Sequence, residues 1–202
     1  MEIKKLTSTD AEQFCNLIVD MYAHLNNLEW FSPMPYDLEN VKSILENPRF
    51  YVIGIFDNNF LCAVSSLDYK CGKLIGKLNF PAEVDTNKIV ELGFTMVHST
   101  YRGQGLMKKM VNYLLNKIEK DGFKLGFGKV HKDNFASSKS LKYNGFYFLE
   151  EYKKPVKKED FNLFIEKNLL SEETKEKAQQ TLNKFEKENE IIVNYEILIK
   201  RF

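Results

Sequence analysis

Apolar residues recur at three- and four-residue steps near the start of the chain, as one face of a helix requires. They are Phe14, Leu17, Ile18, Met21, Tyr22 and Leu25. Residues 9–12, Thr-Asp-Ala-Glu, precede them with the spacing of a capping box, so a first helix is predicted here. An aromatic, proline-bearing stretch at 30–36 then leads to Asp37, which is placed to cap a second helix carrying Leu38, Val41, Ile44 and Leu45.

The middle of the chain reads as a hairpin. Residues 51–56 and 60–67 are rich in β-forming side chains, and Asp57-Asn58-Asn59 between them is a turn signal. Residues 69–87 contain two glycines and Pro81, so an irregular connection is predicted there. A strand is predicted next, over 89–97.

The second half alternates between the two kinds of element. A helix with apolar residues from Leu106 to Ile118 ends at Gly122, and a short helix extends from Asn134 to Gly145. Strands are predicted at 125–130, 146–152 and 191–202, and two charged amphipathic helices lie before the last of these. The order indicates an α+β fold with a mixed sheet. Without an internal repeat or a flexible linker, we expect one domain over 1–202, with a helical insertion at about 155–190.

Composition narrows the choice of partner. Lys and Arg number 29 against 28 Asp and Glu, so the net charge of +1 gives no field that would attract nucleic acid or an anionic membrane. The three cysteines, Cys15, Cys62 and Cys71, lack metal-ligand spacing and suit a reduced compartment. No signal peptide precedes the first element and no long apolar run follows, so a cytoplasmic location is expected.

Histidine also gives no sign of a metal site. His24, His98 and His131 have no partner at ligand spacing, and we expect no metal. His98 and His131 each follow a predicted strand, so either is open as an acid or base as well as an ordinary loop histidine.

The segment between the 89–97 strand and the following helix carries the main chemical signal. Its sequence is Arg102-Gly103-Gln104-Gly105-Leu106-Met107. Glycines allow successive backbone N–H groups to point at one anion, and the helix dipole behind them favours negative charge. The segment lacks both the Gly-Lys-Ser/Thr ending of a nucleoside triphosphatase loop and the third glycine of a dinucleotide fingerprint.

Three motifs in order resemble the GNAT family of acyl-CoA N-acyltransferases. They are the strand segment 90–97, the loop at 101–107, and Asn134 placed eleven residues before Gly145-Phe146. Arg102 and Gly105 match the family loop, whereas Met107 stands where the family has a small residue. The resemblance covers roughly residues 2–152, and the helical segment after it is longer than the family leads us to expect.

The resemblance implies a fold and a cofactor. The fold is a mostly antiparallel sheet of about seven strands, splayed at the fourth and flanked by helices, with acetyl-CoA in the splayed gap. Backbone groups near Met96 and Val97 would hold the pantetheine arm and the thioester, and the N–H groups of Gln104, Gly105, Leu106 and Met107 the pyrophosphate. Gly103 belongs to the same loop, Arg102 would be a charge partner, and Asn134 would bind the arm or cap its helix.

The resemblance also implies the chemistry. Transfer to an amine needs a general base, and Glu91 stands where many family members carry their catalytic glutamate. Simple alternation places Glu91 on the same face as Gly93, Thr95 and Val97. The competing interpretation is a solvated strand glutamate. Leu141 occupies the position of the tyrosine that often protonates the thiolate; Tyr143 is expected to point elsewhere, which leaves Ser137, Ser138, Tyr147 or solvent.

The acceptor is an amine of unknown identity. Trp30, Phe31 and Tyr36 lie where the family usually forms its acceptor pocket, although a packed loop is an equal alternative. The charged helices after residue 155 form a solvated face, a cover for the site or a homodimer contact. The rival function is a CoA-binding regulatory or interaction module that has lost catalysis, with Leu141 as its mark.

Overall fold

The fold is built on one seven-stranded sheet. The computed structural model describes residues 1–25, 27–30, 37–71, 74–158, 172–185 and 190–202. The strands are β1 (Glu2–Lys5), β2 (Phe50–Asp57), β3 (Phe60–Asp68), β4 (Ile89–Val97), β5 (Leu125–His131), β6 (Tyr147–Lys157) and β7 (Glu190–Arg201). The helices are α1 (Ala11–Ala23), α2 (Leu38–Glu46), α3 (Leu106–Lys120), α4 (Phe135–Tyr143) and α5 (Glu172–Lys184).

The strand order leaves a gap in the middle of the sheet. The order is β1-β2-β3-β4-β5-β7-β6, and neighbours are antiparallel except for β4 and β5. These two parallel strands pair from Ile89–Leu125 to Leu92–Gly128, after which β4 continues to Val97 with no described strand paired on that side. The predicted mixed fold, splayed at its fourth strand, is confirmed.

The hairpin turn is also as predicted. Asn58 and Asn59 join β2 to β3 with φ of 46° and 67°. Two left-handed residues in a two-residue turn match the twist of the flanking strands, and asparagine tolerates this conformation better than most residues. The turn begins the pairing of β2 with β3, in which Asp57 lies opposite Phe60 and Phe50 opposite Asp68.

The capping box predicted at residues 9–12 is wrong. A single 3₁₀ turn, Ser8–Asp10, precedes α1, and Asp10 closes it by accepting the backbone N–H of Thr7 at 2.9 Å. Thr7 and Asp10 therefore form the capping box in place of Thr9 and Glu12, because the chain enters α1 through this extra turn.

Helices cover both faces of the sheet. Phe14 and Tyr22 of α1 are buried on one face, in the same cluster as Ala178 of α5 and Phe185 after it. Met110 and Leu114 of α3 are buried on the other face, in the cluster that includes Leu141 of α4. Each layer thus follows the apolar periodicity of its helix.

The region before the last strand differs in part from expectation. Strand β6 continues to Lys157, beyond the predicted end at 152. The second charged helix is present as α5, whereas the first falls largely within 159–171, outside the described residues.

Candidate functional site

The loop before α3 has the backbone of an anion site. Gly103 and Gly105 have φ of 78° and 74°, in the left-handed region that side chains with a Cβ rarely adopt. A Cβ at either glycine would meet no atom within 4 Å, so the loop surface is open beside both residues. Both glycines are therefore needed for backbone conformation rather than for tight packing.

The N–H groups of this loop are free. Within the described part of the chain, the N–H groups from Gly103 to Lys108 have no hydrogen-bond acceptor, and Lys109 is the first to bond back, to the Gly105 carbonyl at 3.1 Å. The set includes Gln104, Gly105, Leu106 and Met107, which were predicted for the pyrophosphate. Together with the dipole of the fifteen-residue helix α3, they can bind a diphosphate.

The side chain of Arg102, beside the loop, donates hydrogen bonds to two backbone carbonyls. Its Nε donates to the carbonyl of Val97 at 3.3 Å, and Nη1 donates to the carbonyl of His24 at 3.0 Å. The guanidinium thus joins the end of β4 to the end of α1. Its predicted pairing with phosphate stays a prediction, because these contacts occupy two of its donors.

A cavity of about 340 Å³ occupies the gap between β4 and β5. One end lies beside the loop and α4. The other end lies beneath α2 and the turn before it, where Trp30 is among the lining residues. The lining side chains include Met107, Asn134, Ser137 and Leu141 at the first end, and Trp30, Ile44, Phe50, Asp68, Glu91 and Lys129 at the second.

Asn134 caps helix α4 and also lies at the cavity wall, where it could bind the pantetheine arm. Its Oδ1 accepts the backbone N–H of Ser137 at 3.2 Å, as an N-cap of α4. Asn134 also lines the cavity. The cap orients the side chain, and the amide remains at the cavity wall.

A β-bulge in β4 changes the side-chain directions predicted for this strand. Leu67 pairs with Leu92 and Ser65 with Thr95, so β4 contains one more residue than β3 at this point. Phe94 and Met96 therefore pack on the α1 face. Leu92 and Val97, five residues apart, both pack on the α3 face.

The prediction that Glu91 shares a face with Thr95 and Val97 is therefore wrong. Glu91 lines the cavity together with Asp68, Phe50 and Trp30, on the side of the sheet that Phe94 occupies. Strict alternation fails because the extra residue reverses the faces between Glu91 and Thr95.

The end of β4 offers backbone groups to the gap. The N–H of His98 donates to Cys62 on β3 at 2.9 Å. N–H groups alternate in direction along a strand, so the N–H of Val97 points to the opposite side, where β5 diverges. The side chain of Met96 is 2% exposed and belongs to the core, so only its backbone is available to a ligand.

Comparison with known proteins identifies the fold. Residues 1–147 match the family model described as "Acetyltransferase (GNAT) domain". The chain belongs to the GNAT acetyltransferase family. No curated protein sequence matches this GNAT chain.

Solved structures agree on the fold of this GNAT chain. Ribosomal-protein-alanine N-acetyltransferase from Brucella melitensis aligns with a TM-score of 0.66 at 15% identity over 100% of both chains. YncA from Salmonella typhimurium, whose structure contains acetyl-CoA, aligns with a TM-score of 0.65 at 13% identity over 100% of this chain and 93% of its own. An N-acetyltransferase from Staphylococcus aureus Mu50 aligns with a TM-score of 0.65 at 10% identity, over 99% of this chain and 97% of its own.

The surroundings of Glu91 in this GNAT site stabilise the neutral carboxylic acid relative to the carboxylate, in comparison with a glutamate in water. Burial raises the pKa of Glu91 to about 7, because the carboxylate loses hydration. The ammonium of Lys129 acts in the opposite direction. Asp68 raises the pKa further and Arg49 lowers it, both more weakly. Glu91 can therefore gain and lose a proton near neutral pH.

This shift predicts a pH-dependent effect on stability. Folded Glu91 holds its proton up to about pH 7, whereas the unfolded chain releases it near the ordinary value of 4.5. The stability that this group contributes is therefore present below pH 4.5 and is lost as the pH rises through 7. We expect Glu91→Gln to unfold at higher urea concentration than the wild type at about pH 8, by at most about 3 kcal/mol, and to show no such gain at about pH 4.

The control for this measurement is Glu151→Gln, at an exposed position of β6. The free energy of unfolding of Glu151→Gln should equal that of the wild type at both pH values. A stability difference between Glu91→Gln and the wild type that does not change with pH would contradict the assigned burial effect.

Sequence analysis missed three charged residues at this end of the site. Arg49 donates from Nε to Asp68 Oδ1 at 2.7 Å and from Nη2 to Oδ2, so the two charges neutralise each other beside Glu91. Lys129 lies on β5 across the gap, and burial lowers the pKa of its ammonium. The detectable signal was a lysine inside the otherwise apolar and glycine-containing strand 125–131.

Two neutral donors also lie at the cavity wall. Ser66 is 1% exposed, and its Oγ lies 2.5 Å from where a Cβ on Gly93 would stand. The Ser66 Oγ and the buried Nε1 of Trp30 have no hydrogen-bond partner among the described residues. Of the aromatic residues predicted for the acceptor, Trp30 is thus at the cavity, and Phe31 and Tyr36 fall outside the described residues.

The residues considered as proton donors are dispersed. Leu141 lines the cavity, and Tyr143 is 69% exposed under the ammonium of Lys108, as expected. Ser138 donates to Glu196 at 3.0 Å and Tyr147 is 47% exposed. Ser137 and the buried His131 line the cavity, whereas His98 bonds to Thr100 in the loop after β4.

Two broader features concern metals and membranes. Among the described residues, no group of three or more His, Cys, Asp or Glu side chains is arranged to hold a metal ion. The helices in the same part of the chain are all too short or too polar to cross a membrane.

Proposed function

We propose that this GNAT domain transfers the acetyl group of acetyl-CoA to a primary amine by direct attack in a ternary complex, with Glu91 as general base. The observation that carries the proposal is the continuity of one cavity. It extends from Met107, at the start of α3 beside free N–H groups, to the half-buried Glu91, whose pKa is about 7.

The residues present fit the cofactor. Six consecutive N–H groups, from Gly103 to Lys108, have no acceptor in the described chain, and the two left-handed glycines leave the space beside them open. These groups would hold the pyrophosphate, while Asn134 and the N–H of Val97 would hold the arm within the gap. When bound, acetyl-CoA supplies the acetyl thioester.

Glu91 would prepare the amine. An ammonium has no lone pair, so a base must accept its proton before the nitrogen attacks. The carboxylate of Glu91 does this directly or through one water. A pKa of about 7 means that the base is largely ionised at slightly alkaline pH and can release its proton afterwards.

Two groups of the chain would assist. The N–H of Val97 points into the gap and can donate to the oxygen on which negative charge develops. Of the serine and tyrosine donors predicted for the thiolate, Ser137 is the one that lines the cavity. The proton would come from Ser137 or from water, because Leu141 has none to give.

One observation favours a second function. Leu141 places an apolar side chain at the cavity wall where many GNAT enzymes have a tyrosine. A CoA-binding regulatory module, with the cofactor retained for structure, would have no need of an acid there. The two functions differ in whether an amine accelerates release of the CoA thiol.

A transfer assay separates these functions. Pure protein is mixed with acetyl-CoA and pools of primary amines, thiol release is followed, and products are weighed by mass spectrometry. We expect amine-dependent thiol release with a mass gain of one acetyl group on the amine. Saturable acetyl-CoA binding without amine-dependent release would favour the regulatory module.

A further inference from the structure

The acceptor end of the cavity contains a half-buried ammonium that the proposed reaction does not use. Lys129 lines the cavity from β5, with Nζ over the ring of Tyr195 at 5.0 Å from its centroid. Within the described residues Nζ has neither a hydrogen-bond acceptor nor an ion-pair partner. The Tyr195 ring replaces only part of the hydration that this half-buried charge loses, so an anionic ligand would stabilise it.

Lys129 and Glu91 face each other without forming an ion pair. The strand register places Glu91 opposite Phe127, and Lys129 is two residues further along β5, where the strands have separated. Two residues of strand amount to roughly 7 Å along β5, and Lys129 Nζ lies over the Tyr195 ring rather than against the Glu91 carboxylate. Each charge nevertheless shifts the pKa of the other, so both act on the same space.

Other charges at this end are already matched. Asp68 forms its bidentate pair with Arg49, so among the residues that the structure describes Glu91 and Lys129 are left as a negative and a positive group without an ion pair. The unpartnered donors Ser66 Oγ and Trp30 Nε1 add two places for an acceptor oxygen. Unmet donors of this kind destabilise a fold unless a ligand satisfies them.

We propose that the acceptor is a free α-amino acid, whose amino group faces Glu91 and whose carboxylate binds Lys129. This inference rests on the function proposed above and names its substrate class. Trp30 Nε1 and Ser66 Oγ are additional donors for the carboxylate. The apolar side chains of Ile44 and Phe50 line the same end and favour an apolar amino acid.

The charges also disfavour other amines. A polyamine or an aminoglycoside would bring a second cation beside the Lys129 ammonium, in surroundings where like charges repel more strongly than in water. The N-terminus of a peptide has a neutral amide in place of the carboxylate. Selection for a zwitterion therefore follows from one unpaired charge of each sign.

The test is equilibrium binding to the CoA-loaded chain, which cannot transfer an acetyl group. The probes are phenylalanine and phenylalaninamide, which share the amine and side chain but differ in the carboxylate. We expect the wild type to bind phenylalanine at least about 10-fold more tightly, and Lys129→Met to reduce this ratio to near one. Lys129→Arg should retain much of the preference for phenylalanine. The control Lys153→Met, at an exposed position of β6, should retain all of it.

Equal affinity of the wild type for both probes would overturn the inference, as would a preference that survives in Lys129→Met. Binding of phenylalanine with the expected ratio, but without acetylation when acetyl-CoA replaces CoA, would contradict the proposed function and leave the carboxylate site standing. Acetylation of both probes with equal kcat/KM would contradict the carboxylate site at Lys129 and leave the proposed acetyl transfer standing.

Discussion

Gly105→Glu should weaken acetyl-CoA binding by about 100-fold or more, which corresponds to roughly 2.8 kcal/mol. Gly105 has a φ of 74° and contributes one of the free N–H groups at the start of α3. A glutamate there would strain the backbone and place a negative charge where the cofactor has its diphosphate. Isothermal titration of both proteins with acetyl-CoA measures the effect.

Helix α3 offers a matched control at its other end. Gly122 has nearly the same φ, 77°, and a Cβ there would also meet nothing within 4 Å. Gly122→Glu therefore adds the same strain and charge about 20 Å from the loop, beyond the screening length of ordinary buffers. We expect this variant to bind acetyl-CoA like the wild type. If the two variants bind equally well, the loop is not the cofactor site.

Glu91→Gln should lower kcat by about 100- to 10,000-fold, the range over which a general base contributes. Glutamine keeps the size and the polar contacts of the side chain but cannot accept the amine proton. Acetyl-CoA affinity should not change, because Glu91 lies at the acceptor end of the cavity. The assay is thiol release at saturating amine, with Glu151→Gln as an exposed control that should retain full activity.

The pH profile gives a second test of the same role. In the wild type, kcat should rise as the pH increases through about 7, because Glu91 must be ionised to act. The variant should lose this inflection. A variant that keeps both its rate and its inflection would assign the base to another group, and the buried His131 at the cavity wall would be the first to examine.

The elements of the fold follow closely from local patterns. The β4 bounds, the turn at Asn58-Asn59 and the glycine loop before α3 were predictable because each depends on a short segment. The position of Asn134 at the cavity was implied by the resemblance to the GNAT family, in which an asparagine precedes a Gly-Phe pair by this spacing. In such cases a residue's own neighbours in sequence determine its conformation.

The acceptor end required the three-dimensional structure. Arg49 and Asp68 are nineteen residues apart, and Lys129 faces Glu91 across the gap only because the two distant strands β4 and β5 pair beside it. No local pattern encodes these contacts. The face of Glu91 was predicted wrongly because the extra residue of the bulge is visible only in the register of β3 against β4.

The bulge makes the domain unusually dependent on chain length at one point. Deleting Gly93 would restore strict alternation along β4 and leave Phe94, Met96 and Val97 on the faces that they occupy now, because the bulge places Gly93 and Phe94 on the same face. The deletion would remove the local bend that the bulge gives β4, so β4 would lie closer to β5 beyond Leu92 and the gap would narrow. A comparison of homologous sequences should accordingly show substitutions here, but neither insertions nor deletions, between the glutamate and the loop.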